Sequence, residues 1–316
     1  MKIGLIDVDG HNFPNLPLMK ISAYHKQCGD TVEWVNLFEH YDSVYMSKIF
    51  TFTPDFEYCI NADEIIKGGT GYDLHNKLPA EIENIYPDYS IYPEYNEAYG
   101  FLTRGCPRNC DFCIVGKKEG LCSHKVANLD CFWNGQKVIK LLDPNLLACK
   151  EHMDLLQQLV DCKAKIDVTQ GFDIRLVNSK NIELIKRMKI DCIHFAWDNP
   201  KDDLLSKFKE VAGELDLPIR KLKAYVLTNF NTTFEEDLFR IYALRDIGVD
   251  PYVMIYDKGN APKQIRHLQR WCNNKRIFRT EDCFFLITNI NEHWKDEIEY
   301  LEDRLKEFQE KETEEQ

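Results

Sequence analysis

Short apolar runs alternate with amphipathic stretches along the first 75 residues of the chain. Strand patterns occupy residues 2–8, 31–35, 43–49 and 64–66, and a helical pattern occupies residues 16–27. The first strand closes in a turn at Asp9 and Gly10 before the helix begins. A helix between two such strands is the βαβ unit of parallel sheets. The pattern therefore predicts a small Rossmann-like parallel α/β domain.

A second and longer series of elements follows. Strand patterns occupy residues 99–103, 137–142, 165–169, 192–196, 222–227 and 252–255, and helical patterns occupy residues 152–162, 181–188, 202–215 and 233–247. Such regular alternation predicts a parallel sheet with right-handed crossovers. Six strands in this order favour a barrel, either full or partial.

The boundaries between these regions follow from composition. Residues 1–78 form the first domain, and residues 79–96, which carry three prolines and four tyrosines, interrupt the periodicity as a linker. Residues 97–260 form the core and residues 261–316 an extension. Its charged end predicts an amphipathic helix with a seam at Trp294, Ile298, Leu301, Leu305 and Phe308. This seam packs on the protein itself or makes a dimer or partner contact.

Composition narrows the class of protein. A hydrophobic fraction of 44% is that of a globular protein, and no apolar run approaches the ~18 residues of a membrane span. The start of the chain lacks a signal-peptide pattern, so we expect a cytoplasmic protein. The net charge of −12 argues against non-specific binding of nucleic acid. Most of the 12 cysteines should be reduced, and the isolated ones should pack as small hydrophobes.

Three cysteines fall within eight residues, at Cys106, Cys110 and Cys113. Thiolates are soft ligands that suit zinc or iron-sulfur clusters. A structural zinc site and a self-contained ferredoxin cluster each take four protein ligands. Three thiolates therefore predict a metal centre with one open corner, where a small chelating ligand can bind.

The pattern C-x3-C-x-aromatic-C, with Phe112 in the aromatic place, resembles the signature of the radical S-adenosylmethionine superfamily. The resemblance implies a partial (βα)6 TIM-like barrel and a 4Fe-4S cluster on Cys106, Cys110 and Cys113. The open iron would chelate S-adenosylmethionine, and one electron would cleave it to methionine and a 5′-deoxyadenosyl radical that abstracts hydrogen from a substrate. An electron donor such as flavodoxin or ferredoxin is implied as a partner.

Polar residues at the carboxyl ends of the later strands are candidates for binding the cofactor. They are Asp143, Asn145, Asp173, Arg175, Asp198 and Asn229. The superfamily usually carries a Gly-Gly-Glu-type segment after the second strand, and this chain has Asp143 and Asn145 there. Each of these side chains has the alternative role of a capping or solvated group. No residue is assigned as the hydrogen donor or catalytic base.

Two other interpretations remain, and the substrate is left open. A zinc knuckle could use Cys110 and Cys113 with Cys122 or His124 and give a binding module without catalysis. The first domain resembles a cobalamin-binding domain in arrangement, which would make the protein a cobalamin-dependent methyltransferase. Its D-x-H-x-x-G motif is absent, although His11 lies near the first strand, so a degenerate domain is preferred. The substrate could be an RNA base, a peptide or a metabolite.

Overall fold

The protein has the α/β class predicted from the sequence, with two parallel sheets and helices packed against them. A computed structural model describes residues 1–280. The C-terminal amphipathic helix predicted around Trp294 to Phe308 lies outside the described residues. Within residues 1–280, no helix combines the length and the apolar character needed to cross a membrane.

The first sheet has four parallel strands in the order β2-β1-β3-β4. Its elements are β1 (Lys2–Asp7), α1 (Leu16–Gln27), β2 (Thr31–Trp34), β3 (Tyr41–Ser47) and β4 (Ala62–Gly68). The βαβ unit predicted from the apolar pattern is therefore present. Helix α1 begins where the Asn15 side chain accepts a hydrogen bond from the Leu18 amide.

Residues 79–96 connect the two sheets and also belong to the core of the first one. They contain the short helix α2 (Ala80–Glu83). Ile82, Ile91 and Tyr92 pack with the apolar side chains of β1 and α1. The hydroxyl of Tyr92 donates to the Asp7 carboxylate at 2.7 Å. This connection is packed and hydrogen-bonded along the first sheet.

The second sheet has six strands in chain order, β5-β8-β9-β10-β11-β12, and every pair is parallel. Its strands are β5 (Ala98–Gly100), β8 (Val138–Leu141), β9 (Lys165–Val168), β10 (Lys189–Ala196), β11 (Leu222–Thr228) and β12 (Asp250–Ile255). The helices of this region are α3 (Val115–Glu119), α4 (His152–Asp161), α5 (Asn181–Arg187), α6 (Leu205–Leu215), α7 (Phe234–Asp246), α8 (Lys263–Asn273) and α9 (Lys275–Thr280).

The two faces of this sheet differ in character. Ile139, Ile166, Ile193 and Ala224 point to one face and belong to the large apolar cluster that includes residues of the helices. Residues between them on the same strands are polar and only partly buried, as the alternating burial of β8, β9 and β11 shows. We call this second face the inner face. Burial of one face against helices stabilises the sheet, and the other face is left to polar side chains.

The strand predicted at residues 99–103 is interrupted. Strand β5 ends at Gly100, and Thr103–Arg104 forms a separate strand, β6, that pairs antiparallel with β7 (His124–Lys125). The amides of Leu102 and Thr103 donate to the side chain of Asp143. Because these donors are taken by a carboxylate, the chain leaves the sheet two residues after β5.

Arg240 on α7 is completely buried and ties the ends of two strands together. Its guanidinium donates to the carbonyl oxygens of Trp197 at 2.6 Å and Asp198 at 3.0 Å, both after β10. It also donates to the Leu227 carbonyl of β11 at 3.0 Å. Asp237, three residues earlier on α7, is buried and pairs with the guanidinium at 2.5 Å. The carboxyl ends of β10 and β11 are thus held at a fixed separation by one side chain.

We predict that Arg240→Met lowers the free energy of unfolding by about 3–5 kcal/mol, because the carboxylate of Asp237 is left buried without a partner. The double variant Arg240→Met/Asp237→Leu should be less destabilised than the single variant, since it buries no unpaired charge. Urea unfolding measures both. The control is Arg187→Met at an exposed position of α5, which should change the free energy by less than about 0.5 kcal/mol. Equal losses for Arg240→Met and Arg187→Met would contradict this role.

Candidate metal and cofactor site

Asp143 holds the start of the loop that carries the three cysteines, which we call the cysteine loop (residues 105–123). Its side chain is 3% exposed and accepts hydrogen bonds from the amides of Leu102 and Thr103 and from the Thr103 hydroxyl. Burial raises the pKa of Asp143 to about 6, and the hydrogen bonds oppose that shift. The carboxylate is therefore mainly ionised at neutral pH, and its acceptor capacity is used by the backbone.

The cysteine loop is closed at its base by a two-residue antiparallel ladder between β6 and β7. Gly105 adopts a φ of +83°, and a Cβ atom there would lie 2.3 Å from the Cys122 carbonyl oxygen. Only glycine fits so close an approach without displacement of the backbone. The Glu119 carboxylate accepts from Arg104 at 2.7 Å and from the Gly105 amide at 3.1 Å. These contacts return the chain to β7 and fix the ends of the loop.

The three thiols converge at the carboxyl end of the six-stranded sheet. Cys106, Cys110 and Cys113 are each half-buried. Burial raises the pKa of Cys110, and the neighbouring thiols of Cys113 and Cys106 raise it further. Burial also raises the pKa of Cys113, with Cys106 again contributing. The three side chains are therefore electrostatic neighbours.

The three sulfurs do not all lie within 4.8 Å of one another. Sulfurs bound to one tetrahedral zinc lie about 3.8 Å apart, since the Zn–S bond is about 2.3 Å. Within residues 1–280, only one group of three histidine, cysteine or acidic side chains has all its ligand atoms within 4.8 Å, and the cysteine loop does not contribute to it. The grouping of Cys110 and Cys113 with Cys122 or His124, which a zinc knuckle needs, is not formed.

Asn145 is the predicted cofactor residue that directly contacts a cysteine. Its side chain is 3% exposed, and its amide nitrogen lies 3.5 Å from the Cys106 sulfur and 3.4 Å from the Asp173 carboxylate. Among the described residues, no donor pairs with its Oδ1 atom. A buried amide oxygen without a donor costs about 1–3 kcal/mol, so a ligand that donates to it would be stabilised.

Asp173 and Arg175 lie beside the cysteine loop and pair with each other. Asp173 accepts from the Arg175 side chain at 2.8 Å and from Arg108, which lies between Cys106 and Cys110. These two guanidinium groups lower the pKa of Asp173 against the effect of burial. Arg175 also contacts Asp202 at 3.1 Å and is 39% exposed. Arg175 therefore has donors left to bind an anionic group, whereas Asp173 is already bound on both oxygens.

Asp198 and Asn229 mainly bind the backbone of neighbouring strands. The Asp198 carboxylate accepts from the Leu227 amide at 3.2 Å, and burial raises its pKa to about 6. It also raises the pKa of both Cys110 and Cys113, so it lies near the thiols. Asn229 has a φ of +62° and donates its amide to the Tyr256 carbonyl at 2.8 Å. Both residues brace strand ends next to the site.

Phe112 packs edge-on against Phe230, and Phe230 packs against Tyr256. The two partners follow β11 and β12 in the chain, so an aromatic wall joins the cysteine loop to the far strands of the sheet. The sequence predicted Phe112 as a cofactor-binding residue and did not single out Phe230. The signal for Phe230 was its position just after the strand predicted at residues 222–227. Arg240 was also missed, because a basic residue within an amphipathic helix is usually exposed.

The cysteines outside this triad differ in burial, and Cys283 lies outside the described residues. Cys28, Cys59, Cys122 and Cys131 are exposed, so the prediction that isolated cysteines pack internally was wrong for Cys28 and Cys59. Both lie in irregular segments that follow regular elements. The ring of His11 packs against Trp34 with ring centroids 4.3 Å apart.

No family model matches the chain, and a search of curated proteins also finds no match. The site is therefore interpreted from its own geometry.

We predict that Asp143→Asn lowers the free energy of unfolding of the metal-free protein by about 1.5–3 kcal/mol, because an amide replaces one acceptor oxygen of a buried, charged group. Urea unfolding is the measurement. Asp111→Asn serves as the matched control, because Asp111 is exposed within the same loop. Equal stability of Asp143→Asn and the wild-type protein would show that this carboxylate does not hold the loop.

We also predict an order of thiol reactivity in the reduced, metal-free protein. Iodoacetamide should label Cys28 and Cys59 several times faster than Cys110 and Cys113, whose pKa values are raised by burial. Time-resolved mass spectrometry of the labelled peptides measures the rates. In urea the difference should disappear. Rapid labelling of Cys110 and Cys113 in the folded protein would contradict the half-buried geometry of the loop.

Proposed function

We propose that the chain is a radical S-adenosylmethionine enzyme in which Cys106, Cys110 and Cys113 bind three irons of a 4Fe-4S cluster. The observation that carries the proposal is the convergence of three half-buried thiols, spaced C-x3-C-x2-C along the chain, at the carboxyl end of the six-stranded sheet. They converge on one place, yet they are not grouped as tightly as the ligands of a single ion. Thiolates that bind different irons of one cluster must lie further apart than thiolates that share an ion.

The order of the second sheet supports assigning residues 97–260 to a partial (βα)6 TIM-like barrel. Its six parallel strands lie side by side in the order of the chain, with β5 and β12 at the two edges. Each strand after β8 is reached through a helix, as in barrels of this kind. The cysteine loop follows the first of the six strands. This is its place in the superfamily signature.

The residues around the thiols fit the proposed cofactors. The unpaired Oδ1 atom of Asn145 is an acceptor for the amino group of S-adenosylmethionine, and Arg175 has the planar donors that suit its carboxylate. Phe112, next to two of the cysteines in the chain, packs edge-on against Phe230. When bound by Cys106, Cys110 and Cys113, the cluster would supply one electron for the cleavage of S-adenosylmethionine to methionine and a 5′-deoxyadenosyl radical, which would abstract hydrogen from the substrate.

The first domain is assigned a supporting role. Its glycine-rich segment at the end of β4, residues 68–71, contacts the cysteine loop. The contact is a hydrogen bond that Lys118 of α3 donates to the Thr70 hydroxyl. The ring of His11 packs against Trp34 and Tyr92, and its backbone carbonyl accepts from Tyr95 at 3.0 Å. These contacts do not favour cobalamin binding. A degenerate cobalamin-type domain that braces the cysteine loop is therefore preferred over a cobalamin-dependent methyltransferase.

The test is anaerobic reconstitution followed by reduction. We expect about four irons and four sulfides per chain and, with S-adenosylmethionine and dithionite or reduced flavodoxin, release of 5′-deoxyadenosine. Cys110→Ala should lose the cluster and the 5′-deoxyadenosine. Iron and sulfide analysis, electron paramagnetic resonance and chromatography of the nucleoside give separate readouts.

Cys122→Ala is the matched control, because Cys122 is an exposed cysteine within the same loop. It should retain the cluster and the cleavage of S-adenosylmethionine. A colourless protein that binds zinc through the loop would overturn the proposal, as would full cluster content in Cys110→Ala. Profiling of metabolites, peptides and RNA nucleosides with and without the active protein then identifies the substrate.

A further inference from the structure

A second group of metal-type ligands lies on the inner face of the six-stranded sheet. Asp167 of β9 and Cys192 and His194 of β10 have ligand atoms that all lie within 4.8 Å of one another. Cys192 and His194 are each 8% exposed, and Asp167 is partly buried. The group is separate from the cysteine loop. The sequence offered no spacing that joins β9 to β10, so Cys192 was expected to be a packing residue.

A β-bulge in β10 directs the cysteine toward this group. The pairing of β10 with β9 shifts register between Ile190 and Cys192, so that Asp191 is an extra residue. Ile190 and Ile193 both belong to the apolar core on the helix side. Asp191 and Cys192 therefore both lie between these two core positions, where regular alternation would place a single residue. As a consequence, the side chain of Cys192 lies on the inner face with that of His194. Bulges often re-aim a side chain beside a functional site.

His194 is oriented as a metal ligand usually is. Its Nδ1 atom lies 3.1 Å from the Val168 carbonyl oxygen, which can only accept, and the ring stacks on Tyr225 with centroids 4.8 Å apart. In a neutral imidazole this contact assigns the proton to Nδ1 and leaves the lone pair on Nε2. The Cys192 sulfur lies 3.9 Å from each of the two ring nitrogens, Nε2 included. The nitrogen and the sulfur are close to the separation of two ligands on one ion.

Asp167 supplies an acceptor that no described residue satisfies. Its Oδ1 atom is buried and lacks a hydrogen-bond donor within residues 1–280. Lys140 and Lys223 lie on the flanking strands, but Lys140 is occupied by the Tyr99 hydroxyl at 3.1 Å and by Glu97 at 3.5 Å. The side chain of Lys223 lies near Cys192. The carboxylate and the thiolate together balance the charge of a divalent cation.

We propose that Asp167, Cys192 and His194 bind a zinc-type divalent ion and leave its fourth coordination position open on the inner face of the sheet. A mixed set of sulfur, nitrogen and oxygen ligands suits Zn²⁺ and excludes Mg²⁺ and Ca²⁺, which take oxygen ligands. Binding releases the thiol proton of Cys192 to solvent. Three protein ligands with one open position are the pattern of zinc sites that bind a substrate or water.

The test uses the full chain with Cys106, Cys110 and Cys113 all replaced by alanine, so that the cysteine loop cannot bind metal. After chelator treatment and addition of Zn²⁺, we expect one tightly bound zinc per chain by elemental analysis. Substitution by Co²⁺ should give the near-ultraviolet charge-transfer band of a cobalt thiolate. In this background Cys192→Ser should remove that band, and Asp167→Asn and His194→Gln should each weaken the affinity for zinc about 10–100-fold.

Cys149→Ser is the matched control, because Cys149 is buried away from the inner face. It should bind zinc and cobalt as the background protein does. Asp167→Asn preserves the shape of the side chain. An unfolding curve for this variant that matches that of the background protein shows that a loss of zinc binding is not caused by a loss of the fold. Absence of bound zinc in the folded background protein would overturn the proposal, as would unchanged affinity in Asp167→Asn and His194→Gln. Iron and sulfide content plays no part in this test, so its failure is distinct from failure of the proposed radical chemistry.

Discussion

The carboxylate of Asp143 makes the contact on which the cysteine loop depends. A chain that leaves a parallel sheet exposes amides that have no strand partner, and such amides must be satisfied when they are buried. Asp143 accepts from Leu102 and Thr103 at this point. Because the carboxylate comes from the end of the next strand, β8, the loop is anchored to the sheet rather than to itself. The hydrogen bonds to Asp143 therefore determine where the cysteines lie relative to the sheet.

The same requirement recurs at the other strand ends. Asp198 accepts from the amide of Leu227, and Asn229 donates to the carbonyl of Tyr256. Arg240 reaches three carbonyls from α7. Polar residues at the carboxyl edge of a parallel sheet therefore have two uses, since they bind ligands and they also satisfy backbone groups. In this protein most of them do the second. Among the predicted site residues, Asn145 and Arg175 keep bonding capacity toward a ligand.

Much of the fold could be predicted because its elements follow strong local patterns. The apolar runs that became β8, β9, β11 and β12 are short and bounded by helices, so their periodicity is easily recognised. The strand expected at residues 99–103 was interrupted because a carboxylate 40 residues away competes for its amides. No local pattern carries that information.

The site was predicted unevenly for a related reason. The spacing of the three cysteines lies within one loop and is visible in the sequence. The roles of Asp143 and Arg240 depend on which backbone groups lie opposite them after folding. The inner-face group formed by Asp167, Cys192 and His194 depends on a register shift at Asp191, which alternation of polar and apolar residues cannot reveal. The register of strand pairing and the hydrogen bonds of backbone groups at strand ends thus determine which side chains form the site, and local sequence patterns do not reveal either.

The two proposed metal sites are related by the geometry of β10. His194 lies within the strand, and Asp198, near the thiols, lies four residues further along the chain. At about 3.3 Å per residue this separates the two positions by at most about 13 Å. Under the two proposals, a substrate held by the inner-face ion would lie within this distance of the cysteine loop, and β10 would set the separation.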